Sequence, residues 1–147
     1  MQFRKTEKPL TGGALANPIS HITLGVRDYA RAAVFYDKVL GALGFARMSK
    51  PENKPPAFCK NNSFPYIYLY YPENGLPATW GNGTHIAFAA ETREQVRRFY
   101  ENAMQAGGID EGAPGLRPHF GENYYAAYIR DLDGNKLQAV CYAAEAE

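Results

Sequence analysis

The chain is short of several things, and each shortage removes a class of answer. Its 147 residues include two cysteines, Cys59 and Cys141, too few and wrongly spaced for a disulfide scaffold. Each lies in an apolar, strand-like run, where a reduced and buried thiol is expected. No apolar run approaches the ~18 residues of a membrane span. Neither charge is in surplus: 16 Lys and Arg against 15 Asp and Glu leave a net charge of +1, so bulk charge draws in neither nucleic acid nor an anionic membrane. The basic first residues lack the apolar stretch of roughly 7–15 residues that a secretory signal needs. A cytoplasmic location is therefore expected, and the N-x-S/T matches at Asn61 and Asn82 read as chance.

What is present describes one soluble domain. Hydrophobic residues make up 46% and charged residues 21%, and this length buries a core without staples. Aromatics reach 14%, with eleven tyrosines, an excess that asks for a place in the fold. Pro9, Gly12, Gly13 and Pro18 break any regular element before Ser20. Residues 1–17 thus read as a flexible arm, 18–142 as the domain and 143–147 as a frayed tail.

An internal repeat organises the domain. Shifted against itself, the sequence places S-H-I-T-L-G-V-R-D-Y-A-R-A-A-V-F-Y on T-H-I-A-F-A-A-E-T-R-E-Q-V-R-R-F-Y without a gap, His21 on His85, Phe35 on Phe99 and Gly44 on Gly108. Two copies are too few for a solenoid and fit a duplicated half-domain. Each copy opens with a period-two strand, Ile22, Leu24 and Val26 on one face and His21, Thr23 and Gly25 on the other. A helix follows, with the stripe Ala32, Phe35, Tyr36, Val39, Leu40 and Leu43 repeated as Val96, Phe99, Tyr100, Ala103, Met104 and Gly107. Asp28 is the expected N-cap of the first helix, and Thr92 with Gln95 a capping box for the second. Three strand-like runs complete each copy: near Phe45–Ser49, Ala57–Lys60 and Tyr66–Tyr71, then near Ile109–Glu111, Tyr124–Arg130 and Lys136–Tyr142. D-L-D-G-N marks the last hairpin. The fold class is α+β: two tandem, pseudo-symmetric βαβββ modules, about 18–75 and 82–142, whose curved sheets enclose a cavity.

The apolar face of each sheet must meet its helix, so the other face carries the chemistry. Alternation turns His21, Tyr66, Tyr68 and Tyr70 inward in the first module and His85, Gln138 and Val140 in the second. His21, Tyr68, His85 and Gln138 occupy pseudo-equivalent positions.

These paired modules, the H-I-T-L and H-I-A-F strand starts and the closing D-L-D-G-N-K-L-Q-A-V resemble the vicinal oxygen chelate superfamily of glyoxalases, bleomycin-resistance proteins and extradiol dioxygenases. The resemblance spans about Pro18 to Tyr142. It implies a divalent metal, Zn, Ni, Fe or Mn, held here by His21, His85 and Gln138, with no nucleotide cofactor. Gln138 and Tyr68 stand where that family carries carboxylates. Neither replacement offsets the ion's charge or serves as a carboxylate base, which weighs against glyoxalase I-type isomerisation. Arg117, Tyr124, Tyr66, Tyr68 and Tyr70 are candidates for substrate contact, and Glu122 and His119 are weak candidates for acid–base work. The resemblance further implies a small-molecule partner and a homodimer. Two functions stay open: a metal-dependent lyase or dioxygenase acting on an oxygen-bearing substrate, and a metal-free binding protein whose aromatic walls are Tyr66, Tyr68, Tyr70, Tyr124 and Trp80.

Overall fold

The computed structural model describes residues 17–145; the expected arm, apart from Asn17, lies outside the described residues. The first module contains strand β1 (His21–Gly25), helix α1 (Tyr29–Val39), and strands β2 (Ala46–Arg47), β3 (Ala57–Lys60) and β4 (Ser63–Tyr70). The second contains β5 (His85–Ala89), α2 (Arg93–Gln105), β6 (Ile109–Leu116), β7 (Tyr125–Arg130) and β8 (Lys136–Cys141). The strand orders are β1-β4-β3-β2 and β5-β8-β7-β6, with the first pair of each sheet parallel. Thr23 pairs with Tyr68 and Ala87 with Gln138, so the register itself makes Tyr68 and Gln138 equivalent.

Local chemistry sets the element ends. The Asp28 carboxylate accepts from Arg31 N at 3.0 Å, and Thr92 Oγ1 accepts from Gln95 N at 3.1 Å. The return bond of the expected capping box moves one residue upstream, with Gln95 Oε1 accepting from Glu91 N at 2.8 Å. Helix α2 ends where Gly107 takes φ +96° and Gly108 N donates to Ala103 O at 2.8 Å, closing the turn with a left-handed residue. A side chain at Gly108 would meet two carbonyl oxygens at 2.9 Å and the Phe35 ring at 3.2 Å, so glycine there lets the modules approach.

Three strands depart from the sequence reading. β2 is shorter than expected, ending before Met48. β4 begins earlier, through Pro65; the parallel ladder with β1 starts only at Tyr66, so no ladder bond asks for the missing proline N–H. β6 runs on through Pro114, because it is an edge strand whose register shifts between Asp110, Gly112 and Gly115 absorb the proline. Asn61 and Asn62, both at positive φ, form the two-residue turn from β3 to β4.

One core serves both modules. Leu24, Phe35, Tyr36, Val39, Ile67 and Leu69 join Phe88, Val96, Phe99, Ile129, Leu137 and Ala139 in a single buried cluster, and α1 packs on α2. Cys59 and Cys141 are buried and unpaired with each other. At the junction, the buried Asp131 carboxylate accepts from Tyr36 Oη (2.5 Å), Asp133 N (2.9 Å), Asn135 N (2.8 Å) and Asn135 Nδ2 (2.9 Å). Asn135 Nδ2 also donates to Gly25 O at 3.0 Å, and Arg27 N donates to Asp133 Oδ1 at 3.0 Å. The D-L-D-G-N loop of the second module thereby grips the exit of β1 and the middle of α1. Trp80, expected as a cavity wall, instead seals this loop. Its ring sits where a Gly134 side chain would be and lies 4.9 Å from the Arg130 guanidinium.

Two outcomes follow. Tyr36→Phe leaves the packing intact and removes a buried bond to a carboxylate, so urea unfolding should show a loss of about 1.5 kcal/mol. Asp133 has its pKa raised, by burial first and the neighbouring Asp131 second. The folded chain then holds this proton more tightly than the unfolded chain, so ionised Asp133 opposes folding above its folded pKa. Asp133→Asn keeps an acceptor for Arg27 N; it should be more stable than the parent at neutral pH, with the difference vanishing below the unfolded carboxylate range. A constant difference across a pH series of melts would count against this origin.

Candidate functional site

The inward faces carry two separate constellations. In the first module a cavity of about 670 Å³ is lined by His21, Thr23, Gly25, Lys50, Tyr68, Tyr70, Tyr71, Pro72 and Glu73. Every one of these belongs to the first module. His21 and Thr23 reach it because they alternate with Ile22 and Leu24, which face the core. On β4, Tyr68 lies 6.0 Å from Tyr70 and 5.2 Å from the His21 ring. Lys50 Nζ sits 5.2 Å from the Tyr68 ring centre, and Ser20 Oγ lies 3.1 Å from His21 Nδ1.

Tyr71 is fastened from behind. Its ring stacks on Tyr29 at 3.6 Å and 2°, and each hydroxyl accepts from the other's backbone N–H at 3.1 Å. This reciprocal clasp pins the cavity wall to the first turn of α1. Lys50, Tyr71 and Glu73 were not foreseen. They sit beyond strand ends, where alternation stops predicting direction; Thr23 and Gly25 were readable from the same period as His21. Tyr66, expected on the wall, is not among the lining residues and lies between Phe64 (5.6 Å) and Tyr68 (6.3 Å).

In the second module, Gln138 is buried at 2% exposure. Its Oε1 accepts from His85 Nε2 at 3.2 Å, and its Nε2 donates to the Tyr124 hydroxyl at 2.6 Å. Tyr124 in turn hydrogen-bonds Tyr128, whose pKa is raised by burial first and by Tyr124 second. Tyr124 also touches Phe120 (5.2 Å) and Tyr142 (5.3 Å). The His119 ring lies 4.1 Å from the Phe120 ring, tilted at 44°, in an exposed turn, and Glu122 is exposed nearby. Arg117 donates to Ala113 O at 2.8 Å and lies 5.8 Å from the Tyr128 ring centre.

The profile of the Glyoxalase/Bleomycin resistance protein/Dioxygenase superfamily matches residues 18–139. The chain belongs to this superfamily. Its fold matches a glyoxalase/bleomycin resistance protein from Albidiferax ferrireducens T118 at 34% identity and TM-score 0.74, covering 85% of this chain and 98% of that one. A glyoxalase-related enzyme from Fulvimarina pelagi shares the fold at 21% identity and TM-score 0.65, covering 84% of this chain and 86% of that one. A comparison with curated proteins finds no match.

Does this glyoxalase-like chain fit the divalent ion its superfamily implies? Both ends of the Gln138 amide are engaged, one with His85 and one with Tyr124. His21 belongs to a different cluster, beside Tyr68. Glu73 brings a carboxylate to the cavity lining, but among the described residues no three His, Cys, Asp or Glu side chains group to hold an ion. Neutral imidazole, amide and phenol donors leave the ion's charge uncompensated. The donor set does not fit.

Tyr124→Phe removes the acceptor of the Gln138 amide. The expected loss is about 1 kcal/mol of stability, accompanied by shifted ¹⁵N resonances of the His85 ring; unmoved His85 signals would detach His85 from this network.

Proposed function

We propose that this superfamily member is a metal-free small-molecule-binding protein, seating a planar ligand against the tyrosine wall of the first-module cavity. The observation that carries the reading is the lining itself. Tyr68, Tyr70 and Tyr71 present aromatic surface, with His21 and Lys50 as polar contacts and a volume of about 670 Å³, within the range of small-molecule pockets. Rigid aromatics give large contact area at low conformational cost. The engaged Gln138 amide and the lack of any group of three His, Cys, Asp or Glu side chains among the described residues argue in the same direction.

A homodimer suits this reading. His21 and Thr23 on β1, and His85, Ala87 and Ala89 on β5, are exposed, and both strands lie at sheet edges. A second copy over these faces would enclose the ligand and cover the edges. Light scattering tests the assembly. A cytoplasmic setting suits two buried cysteines that are not joined in a disulfide.

The competing metal-dependent lyase or dioxygenase reading is favoured by one observation, the repeat-equivalent placement of His21 and His85. Calorimetric titration with 2-naphthol separates the two. Binding should be independent of chelator and weaken at least tenfold in Tyr68→Ala, the scale of a lost aromatic contact. Stoichiometric Zn, Ni, Fe or Mn in protein purified without chelator, together with binding that chelator abolishes, would overturn the metal-free reading.

A further inference from the structure

The inward face of the second sheet carries two cations, Arg117 and Lys136, that no acidic side chain pairs with among the described residues. Lys136 and Gln138 share one face of β8 by alternation, and Tyr128 is the register partner of Gln138 on β7. His85 is the register partner of Lys136 on β5. The Tyr128 ring is the meeting point: Lys136 Nζ lies 5.5 Å from its centre, the Arg117 guanidinium 5.8 Å, and the His85 ring 6.3 Å edge-on.

The third cation of this sheet shows the contrast. Arg130 is neutralised by Glu111 at 2.7 Å. Arg117 and Lys136 make no ion pair among the described residues. Both are half-buried, which weakens the solvent screening that makes isolated surface charges inert. A cation over an aromatic ring gains modestly from the quadrupole, but two cations gathered at one ring repel each other, and an anion bound at either of them offsets that repulsion.

The donors are also oriented. Arg117 spends Nη2 on Ala113 O (2.8 Å) and Nη1 on Leu116 O (3.4 Å), which fixes the guanidinium plane and leaves three of its five N–H donors for a ligand. Such a planar fork suits carboxylate and phosphoryl oxygens. Around it, Phe120 and Tyr142 are 61% and 64% exposed, and Phe120, Tyr124 and Tyr142 touch in sequence, so aromatic surface adjoins the charge.

We propose that the second sheet holds an anion-recognition site, in which Arg117 and Lys136 receive the carboxylate or phosphoryl group of a small aromatic ligand beside the Tyr128 ring and His85. The site is built from different residues than the first-module cavity and does not depend on what that cavity binds.

The test is an amide NMR titration of the full chain at low salt with benzoate, phenylphosphonate and neutral benzyl alcohol. The two anions should shift the signals of Arg117, Tyr128 and Lys136, and benzyl alcohol should leave them in place. Arg117→Met and Lys136→Gln should each weaken the anions about tenfold, with the spectrum reporting that the fold is kept; Lys136→Gln serves alone if the Arg117 variant misfolds. Tyr68→Ala should leave anion binding unchanged, so a failure of the first-cavity reading shows separately. Equal shifts from benzyl alcohol, or undiminished anion binding in Lys136→Gln, would overturn the proposal.

Discussion

The buried carboxylate of Asp131 is the constraint on which the rest hangs. A charge with 2% exposure persists only if its lone pairs are filled, and four donors fill them, one from α1 and three from its own loop. Because Asn135 spends its second amide hydrogen on Gly25 O, the same loop ties the end of β1. The orientation of the first inward face is therefore fixed by a turn in the second module. Gly134 completes the arrangement, since its positive φ and the Trp80 ring against it exclude any side chain.

Much of this frame was legible, and the reason is periodicity. Strand alternation separated Ile22 and Leu24 from His21 and Thr23, and helical spacing picked out Phe35, Tyr36 and Val39. A period needs only local information. Asp131 was legible only as a turn residue, because its role depends on Tyr36, 95 positions away. Trp80 was misplaced for the same reason: no pattern announces that a linker ring will cover Gly134. The continuation of β6 through Pro114 was hidden because proline signals a break unless the strand is known to lie at an edge.

The site was legible in its residue types more than in its grouping. Equivalence of Tyr68 and Gln138 followed from the repeat and holds in the register. What repeats could not reveal is that Gln138 is spoken for at both ends. A carboxylate at that position has no N–H to give Tyr124. An amide can accept from His85 and donate to Tyr124 at once, so Gln138 links an imidazole to a phenol in a way no ionised carboxylate could.

The two modules share a backbone plan yet present unlike faces. Duplication copies the backbone and the direction of each side chain, leaving chemistry free to diverge at the inward positions. The first face has concentrated tyrosines, with Glu73 and Lys50 of opposite sign in one cavity lining. The second carries Arg117 and Lys136, neither of which makes an ion pair among the described residues. A net charge of +1 averages over this asymmetry and conceals it, since Asp131 and Asp133 are buried in the junction loop. Counting charges along the sequence cannot separate those that hold the modules together from those facing outward. Only the packing of the D-L-D-G-N loop makes that division, drawing Asp131 and Asp133 into the junction and away from the count of outward charges.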